Sequence, residues 1–232
     1  MLIQLRPGAR PPGRAPFPAT TTKGAAVRNR SVQSFLRALA ARVPAPGGGA
    51  TAALHAAQAA ALVAMVARYS DGPKYARYAD AIRRIRDAAD ELRENALDLA
   101  EDDAAAFTAV TEAYRLPKTT DAEAAERSVA IATAVLRAAR PPAFVVGVAA
   151  RVLELAEDLL PVSNRNVVSD VAAAAEAARA AATTARVNIE INLGGVADAQ
   201  ARGELLTTAD SVDGLCERAD ELTAAVRAGL AR

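Results

Sequence analysis

Apolar side chains recur at alternating spacings of three and four along one stretch of the chain: Tyr75, Tyr78, Ile82, Ile85, Ala89, Leu92, Ala96 and Leu99. The same register continues through Asp103, Ala106, Val110 and Ala113 and stops before Pro117. Such a stripe predicts one helix of about 40 residues, roughly 60 Å long at 1.5 Å per residue. Arg83, Arg84, Arg86, Asp87, Asp90, Arg93 and Glu94 fall on the opposite side, a solvated face.

The remaining pattern is helical as well. Ser31 is an N-cap candidate ahead of Phe35, Leu36 and Leu39, and that helix is expected to stop near Val43, before Pro44 and Pro46. Gly47-Gly48-Gly49 leads into Ala50 to Ala67, an apolar segment dominated by alanine and interrupted by His55 and Gln58. Its length invites a membrane span, but its alanine content and polar interruptions fit better a central helix buried on all sides. Thr119-Thr120-Asp121 with Glu123 predicts a capped helix start, running to about Ala139. Pro141-Pro142 is read as a break before a helix from Phe144 to Leu160. Pro161 to Asn166 reads as a loop, Val167 to Leu193 as a long helix ended by Gly194-Gly195, and Ser211 to Leu230 as a last amphipathic helix. The fold class is therefore all-α: an antiparallel bundle of six or seven helices, several of them long, in one domain over 31–232.

Composition sharpens this picture in three ways. Aromatics make up 3% of the chain and Trp is absent, which disfavours a sheet protein. Six basic residues and no acid fall within 1–30 (Arg6, Arg10, Arg14, Lys23, Arg28, Arg30), leaving residues 31–232 net acidic. An acidic helical domain poor in aromatics is not expected to bind nucleic acid, and no membrane association is expected. The basic, proline-rich stretch 1–30 lacks an apolar h-region and reads as a disordered leader outside the folded domain, or as sequence foreign to it. Cys216 is the single cysteine, which excludes an internal disulfide and fits a cytoplasmic setting.

Asp103 stands out because it occupies a stripe position otherwise reserved for apolar residues. A carboxylate there needs partners or its pKa rises. It is either a polar contact between helices or a general base or substrate anchor. The three glycines are either a tight corner or a place of close backbone approach, at a helix start with free N–H groups. Asp170, beside Ser169 in the first turn of a long helix, complements the dipole and caps. Asn188 and Asn192 share one face near that helix's far end. Five turns separate Asp170 from Asn188, about 27 Å, so they cannot serve one reacting centre within a subunit. His55, the single histidine, rules out a multi-histidine metal site and reads as a packing residue.

Taken in order, Pro44-x-Pro46-Gly47-Gly48-Gly49 before an alanine-rich helix, Asp103-x-x-x-Phe107, Tyr114-x-Leu116-Pro117-Lys118, Asn164-x-Asn166-x-x-Ser169-Asp170 and Asn188-x-x-x-Asn192 resemble the folate cyclodeaminase/cyclohydrolase family. The resemblance covers about residues 31–195. It implies a helical homodimer acting on a tetrahydrofolate derivative with no metal and no bound redox cofactor. Two reactions are implied: hydrolysis of 5,10-methenyltetrahydrofolate to the 10-formyl form, taken first, or cyclisation of 5-formiminotetrahydrofolate with release of ammonia. A non-catalytic helical dimer that binds folate or a protein is the remaining alternative. The resemblance places Asp103, Asp170 and Lys118 in catalysis. It places Gly47, Gly48, Gly49, Tyr114, Asn164, Asn166, Ser169, Asn188 and Asn192 against substrate. Two positions depart from the family pattern: Ala50 stands where Ser is usual, and Arg165 stands where the loop usually has Pro.

Overall fold

The computed structural model describes residues 26–230. The leader expected over 1–30 lies outside them except for its last residues, and there the boundary is earlier than the sequence suggested. Val27–Asn29 forms a 3-10 turn with Val27 buried. The Arg28 backbone N–H donates to Glu101 at 2.9 Å, and its guanidinium pairs with Asp98.

Eight α-helices follow, one more than the most that was expected. Helix α1 (Val32–Leu39) is capped by Ser31, whose Oγ accepts from the Ser34 N–H, and it ends before the Pro44 and Pro46 corner. Helix α2 (Gly48–Tyr69) takes Gly48 and Gly49 into its first turn. Gly72, at φ 92°, turns the chain into a 3-10 segment over Pro73–Tyr78, so Tyr75 and Tyr78 precede the long helix instead of opening it. Helix α3 (Ala79–Arg115) is then unbroken for 37 residues, about 55 Å.

The expected capping box is present at the start of α4 (Asp121–Ala138): the Thr120 hydroxyl accepts from the Glu123 N–H, and the Glu123 carboxylate accepts from the Thr120 N–H. Pro141 and Pro142 do not separate two elements as expected. They occupy the first turn of α5 (Arg140–Leu159), where a missing N–H leaves no hydrogen bond unmade. Helix α6 (Ser169–Leu193) and helix α8 (Val212–Leu230) lie close to their expected spans. Helix α7 (Ala199–Asp210), capped by Asp198, was not anticipated; its sequence lacks a strong apolar stripe.

Helix α2 is the axis of the bundle, packed against α3, α5 and α6, with α8 covering α6. It is long and apolar enough to cross a membrane by length and composition, but 61% of its most apolar window is buried inside the protein, the situation of a core helix. Alanines supply much of that burial: Ala52, Ala53, Ala56, Ala59 and Ala60 on α2, and Ala174, Ala175, Ala178, Ala181, Ala182 and Ala185 on α6, are fully or almost fully enclosed. Small side chains let the axes approach closely and still exclude water. Leu153, Leu159, Ile189, Val63 and Val66 fill the remaining volume.

Helix direction follows from the contacts between ends. Gly49 meets Asp103 and Arg68 pairs with Asp90, so α2 and α3 are antiparallel. Gly48 meets Asn188 while Ser70 meets Asn164, so α2 and α6 are antiparallel too. Because Asp103 lies level with the first turn of α2, the next twelve residues of α3 overhang it by about 18 Å. Helix α4 folds back along this overhang, and between residues 104 and 131 only Ala113 is buried.

Candidate active site

The first turn of α2 gathers residues that are far apart in sequence. Asp103, half-buried, lies against Gly49 so closely that a Cβ at position 49 would overlap its carboxylate. Gly48 meets the Asn188 carboxamide, whose Nδ2 lies 3.4 Å from where a Cβ would stand. The close-approach reading of the glycine corner is thus the one the structure supports at Gly48 and Gly49. Gly47 is the N-cap, and its carbonyl accepts from both the N–H and the hydroxyl of Thr51.

The Asp103 carboxylate accepts a hydrogen bond from the Ala50 N–H, one of the free donors of the helix start. Burial pushes its carboxyl above the ordinary carboxylate range, and the Ala50 N–H partly opposes that rise. A group poised this way can both take and return a proton near neutrality more readily than a solvated aspartate. Asn188 donates from Nδ2 to the Thr184 carbonyl at 2.8 Å, and Asn192 donates to the Asn188 carbonyl at 2.8 Å. One N–H of each carboxamide is occupied by the helix backbone, which leaves each with an Oδ1 acceptor and a second N–H. The sequence offered the free N–H groups of this helix start but not the pairing of Ala50 with Asp103, and it carried no sign of the Thr184 anchor.

Other expected residues lie elsewhere. Tyr114 and Lys118 are exposed at the end of the overhang, and Tyr114 is 11 residues beyond Asp103, about 16 Å along α3. The Tyr114 carbonyl accepts from Arg127 on α4, whose guanidinium lies 5.5 Å from the Tyr114 ring centre. Asn164, Asn166, Ser169 and Asp170 collect at the opposite end of α2. There the Asn164 side chain donates to the Tyr69 carbonyl at 2.8 Å and accepts from the Asn166 N–H, and its backbone N–H donates to the buried Ser70 hydroxyl. Asn164 therefore closes the tail of α2, and its polar atoms are spent on that task. Arg165, the departure from the family's Pro, donates to the Gly229 carbonyl at 3.0 Å and caps α8. Asp170 is half-buried in the first turn of α6, but the expected capping by it or Ser169 is not seen: both lie inside the helix, whose N-cap is Val168 with no side-chain bond.

A half-buried carboxylate held against the start of the central helix is an arrangement that acid–base chemistry can use. Residues 31–211 match the formiminotransferase-cyclodeaminase family, and the chain belongs to it. Over 171 residues it is 36% identical to a methenyltetrahydrofolate cyclohydrolase of Methylorubrum extorquens, covering 73% of this chain and 82% of that one. It is 31% identical over 169 residues to the mouse formimidoyltransferase-cyclodeaminase, of which it spans 31%. A crystal structure of formiminotetrahydrofolate cyclodeaminase from Thermotoga maritima superposes with a TM-score of 0.77 at 29% identity, covering 89% of this chain and all of that one.

Proposed function

We propose that the protein hydrolyses 5,10-methenyltetrahydrofolate to 10-formyltetrahydrofolate, with Asp103 as the group that moves the proton. The observation that carries this reading is the placement of Asp103: half-buried, with a raised pKa, and held by the Ala50 N–H against the glycine corner. The similarity to the Methylorubrum cyclohydrolase, which extends over most of both chains, supports hydrolysis as the direction.

Water attacks the cationic carbon between N5 and N10, and Asp103 takes one of its protons as the C–O bond forms. The adduct collapses by breaking the C–N5 bond. Asp103 returns its proton to N5, and the hydroxyl proton leaves to solvent as the formyl C=O forms. Proton transfer of this kind contributes about 10²–10⁴-fold. In this reading the Asn188 and Asn192 carboxamides receive pterin N–H groups.

Cyclodeamination is the second reading, favoured by the Thermotoga structure, whose whole length the chain covers. There the same carboxyl delivers a proton to departing ammonia. Asp170, about 27 Å from Asn188 along α6, takes part in either reaction only if a second copy of the chain brings it to the site. A homodimer is part of this proposal. Phe107, Tyr114 and Leu116 on the overhang and Val129 on α4 are large apolar side chains left exposed, which a second copy would cover.

Purified protein given each folate in turn tests the reading by the methenyl absorbance. Loss of absorbance from the methenyl substrate supports hydrolysis. Its appearance from the formimino substrate, with ammonia, supports deamination. No change with either overturns both.

A further inference from the structure

Residues 27–47 form a strap that runs from a clamp on α3 to the start of α2. The clamp is Arg28. Its backbone N–H donates to the Glu101 carboxylate at 2.9 Å, and its guanidinium pairs with Asp98 and lies 3.9 Å from Glu94. Val27 and Phe35, both buried, seat the strap, and α1 lies across the groove between Leu54 and His55 of α2 and Leu97 of α3. Its other end is Gly47, the N-cap of α2. The family match starts at residue 31, so Arg28 stands outside the matched stretch.

The clamp and the Asp103 contact grip the same level of α3 from opposite sides. Glu101 precedes Asp103 by two residues, about 3 Å along the helix and about 160° around it. On the Asp103 side, the Ala50 N–H donates to the carboxylate. On the far side, the strap ties Glu101 to Gly47, which opens the same turn of α2. One contact on one side lets the head of α2 roll about it; a tie on each side does not. Beyond Asp103, α3 overhangs α2, so this level is the last at which the two helices can hold each other. The clamp is electrostatic, and partly exposed ion pairs of this kind weaken with salt.

We propose that Arg28 is a positioning residue whose clamp on α3 keeps the Ala50 N–H aligned with the Asp103 carboxylate; its meaning for catalysis rests on the folate reading above. It acts through the strap, from the side of α3 away from Asp103, and not on the substrate.

The Ala50 amide is the probe. As the third residue of α2 it has no acceptor in its own helix, so its protection from hydrogen exchange depends on Asp103. Exchange is followed by NMR on the full chain in wild type, Arg28→Ala and Arg28→Lys. Ala50 should exchange about threefold to fivefold faster in Arg28→Ala, the amount that partly exposed ion pairs supply, and return towards wild type in Arg28→Lys, which keeps the charge. High salt should bring the wild type to the Arg28→Ala rate. The amide of Ala178, buried in α6, should keep its wild-type rate. With the methenyl folate, the loss should fall on kcat and leave KM unchanged. An Ala50 rate unchanged in Arg28→Ala, or a rise that Ala178 shares equally, overturns the proposal whatever the turnover. Faster exchange at Ala50 alone, restored by lysine, supports it even where neither folate is turned over, an outcome that removes only the folate reading.

Discussion

The two ends of α2 carry similar residue types and put them to different uses. At its tail, Ser70 is fully buried, donates to the Val66 carbonyl at 2.7 Å and accepts from the Asn164 N–H, while the Asn164 side chain is itself fully engaged. The side-chain oxygens of Ser70 and Asn164 there all meet other protein atoms. At its head, the Asp103 carboxylate has one backbone donor, Asn188 and Asn192 keep free acceptors, and Gly48 is exposed while Gly49 is covered by Asp103 itself. Polar groups satisfied from within hold a helix end in place, whereas polar groups left partly unsatisfied at an open corner are available to a substrate.

The largest effect expected from breaking this contrast is at the head. Asp103→Asn should lower kcat by about 10²–10⁴-fold while circular dichroism and thermal unfolding remain those of a folded protein. A nearly isosteric amide that kept wild-type turnover would remove Asp103 from the chemistry. Gly49→Ala should lower kcat by a similar order, because the new methyl displaces the carboxylate, and steady-state kinetics beside Asp103→Asn would show it. At the tail, Asn164→Ala should appear in stability instead, costing about 0.5–1.5 kcal/mol in denaturant unfolding as the Tyr69 carbonyl and the Asn166 N–H lose their side-chain partner while the backbone bond to Ser70 remains.

A smaller effect concerns pH. The folded protein holds the Asp103 proton more tightly than the unfolded chain does, because burial raises its pKa. The ionised group therefore opposes folding at neutral pH. That opposition fades as pH falls through the raised folded value towards the ordinary carboxylate value. Asp103→Asn should accordingly unfold at a slightly higher temperature than wild type at neutral pH, and the gap should close in acid. A gap that widened in acid would contradict the burial of this group. The smallest change is expected of Arg165→Ala, which loses one exposed cap on α8 and should cost at most about 1 kcal/mol in the same unfolding assay.

Much of this was legible in the sequence because it depends on periodicity. The α3 stripe located both the longest helix and its one misplaced carboxylate, and helical rise alone separated Asp170 from Asn188. The capping box at Thr120 and Glu123 marked the start of α4 for the same local reason. Long-range facts were not legible. Nothing near Gly48 in sequence points to Asn188, and nothing near Asn164 points to Ser70, 94 residues away. Helix α7 escaped notice because its cap is local but its apolar face is weak. Pro141 and Pro142 misled because proline ends a helix interior yet opens a first turn well. Arg165 looked like a lost family feature until its contact with Gly229 gave it a partner.

The central claim, that chemistry resides at the head of α2, is tested most directly by the pH profile of kcat/KM for the methenyl substrate, in wild type and Asp103→Asn. A rising limb displaced above the ordinary carboxylate range in wild type, and absent in the residual rate of the variant, is the predicted result. A rising limb that persists unchanged in the variant would contradict it.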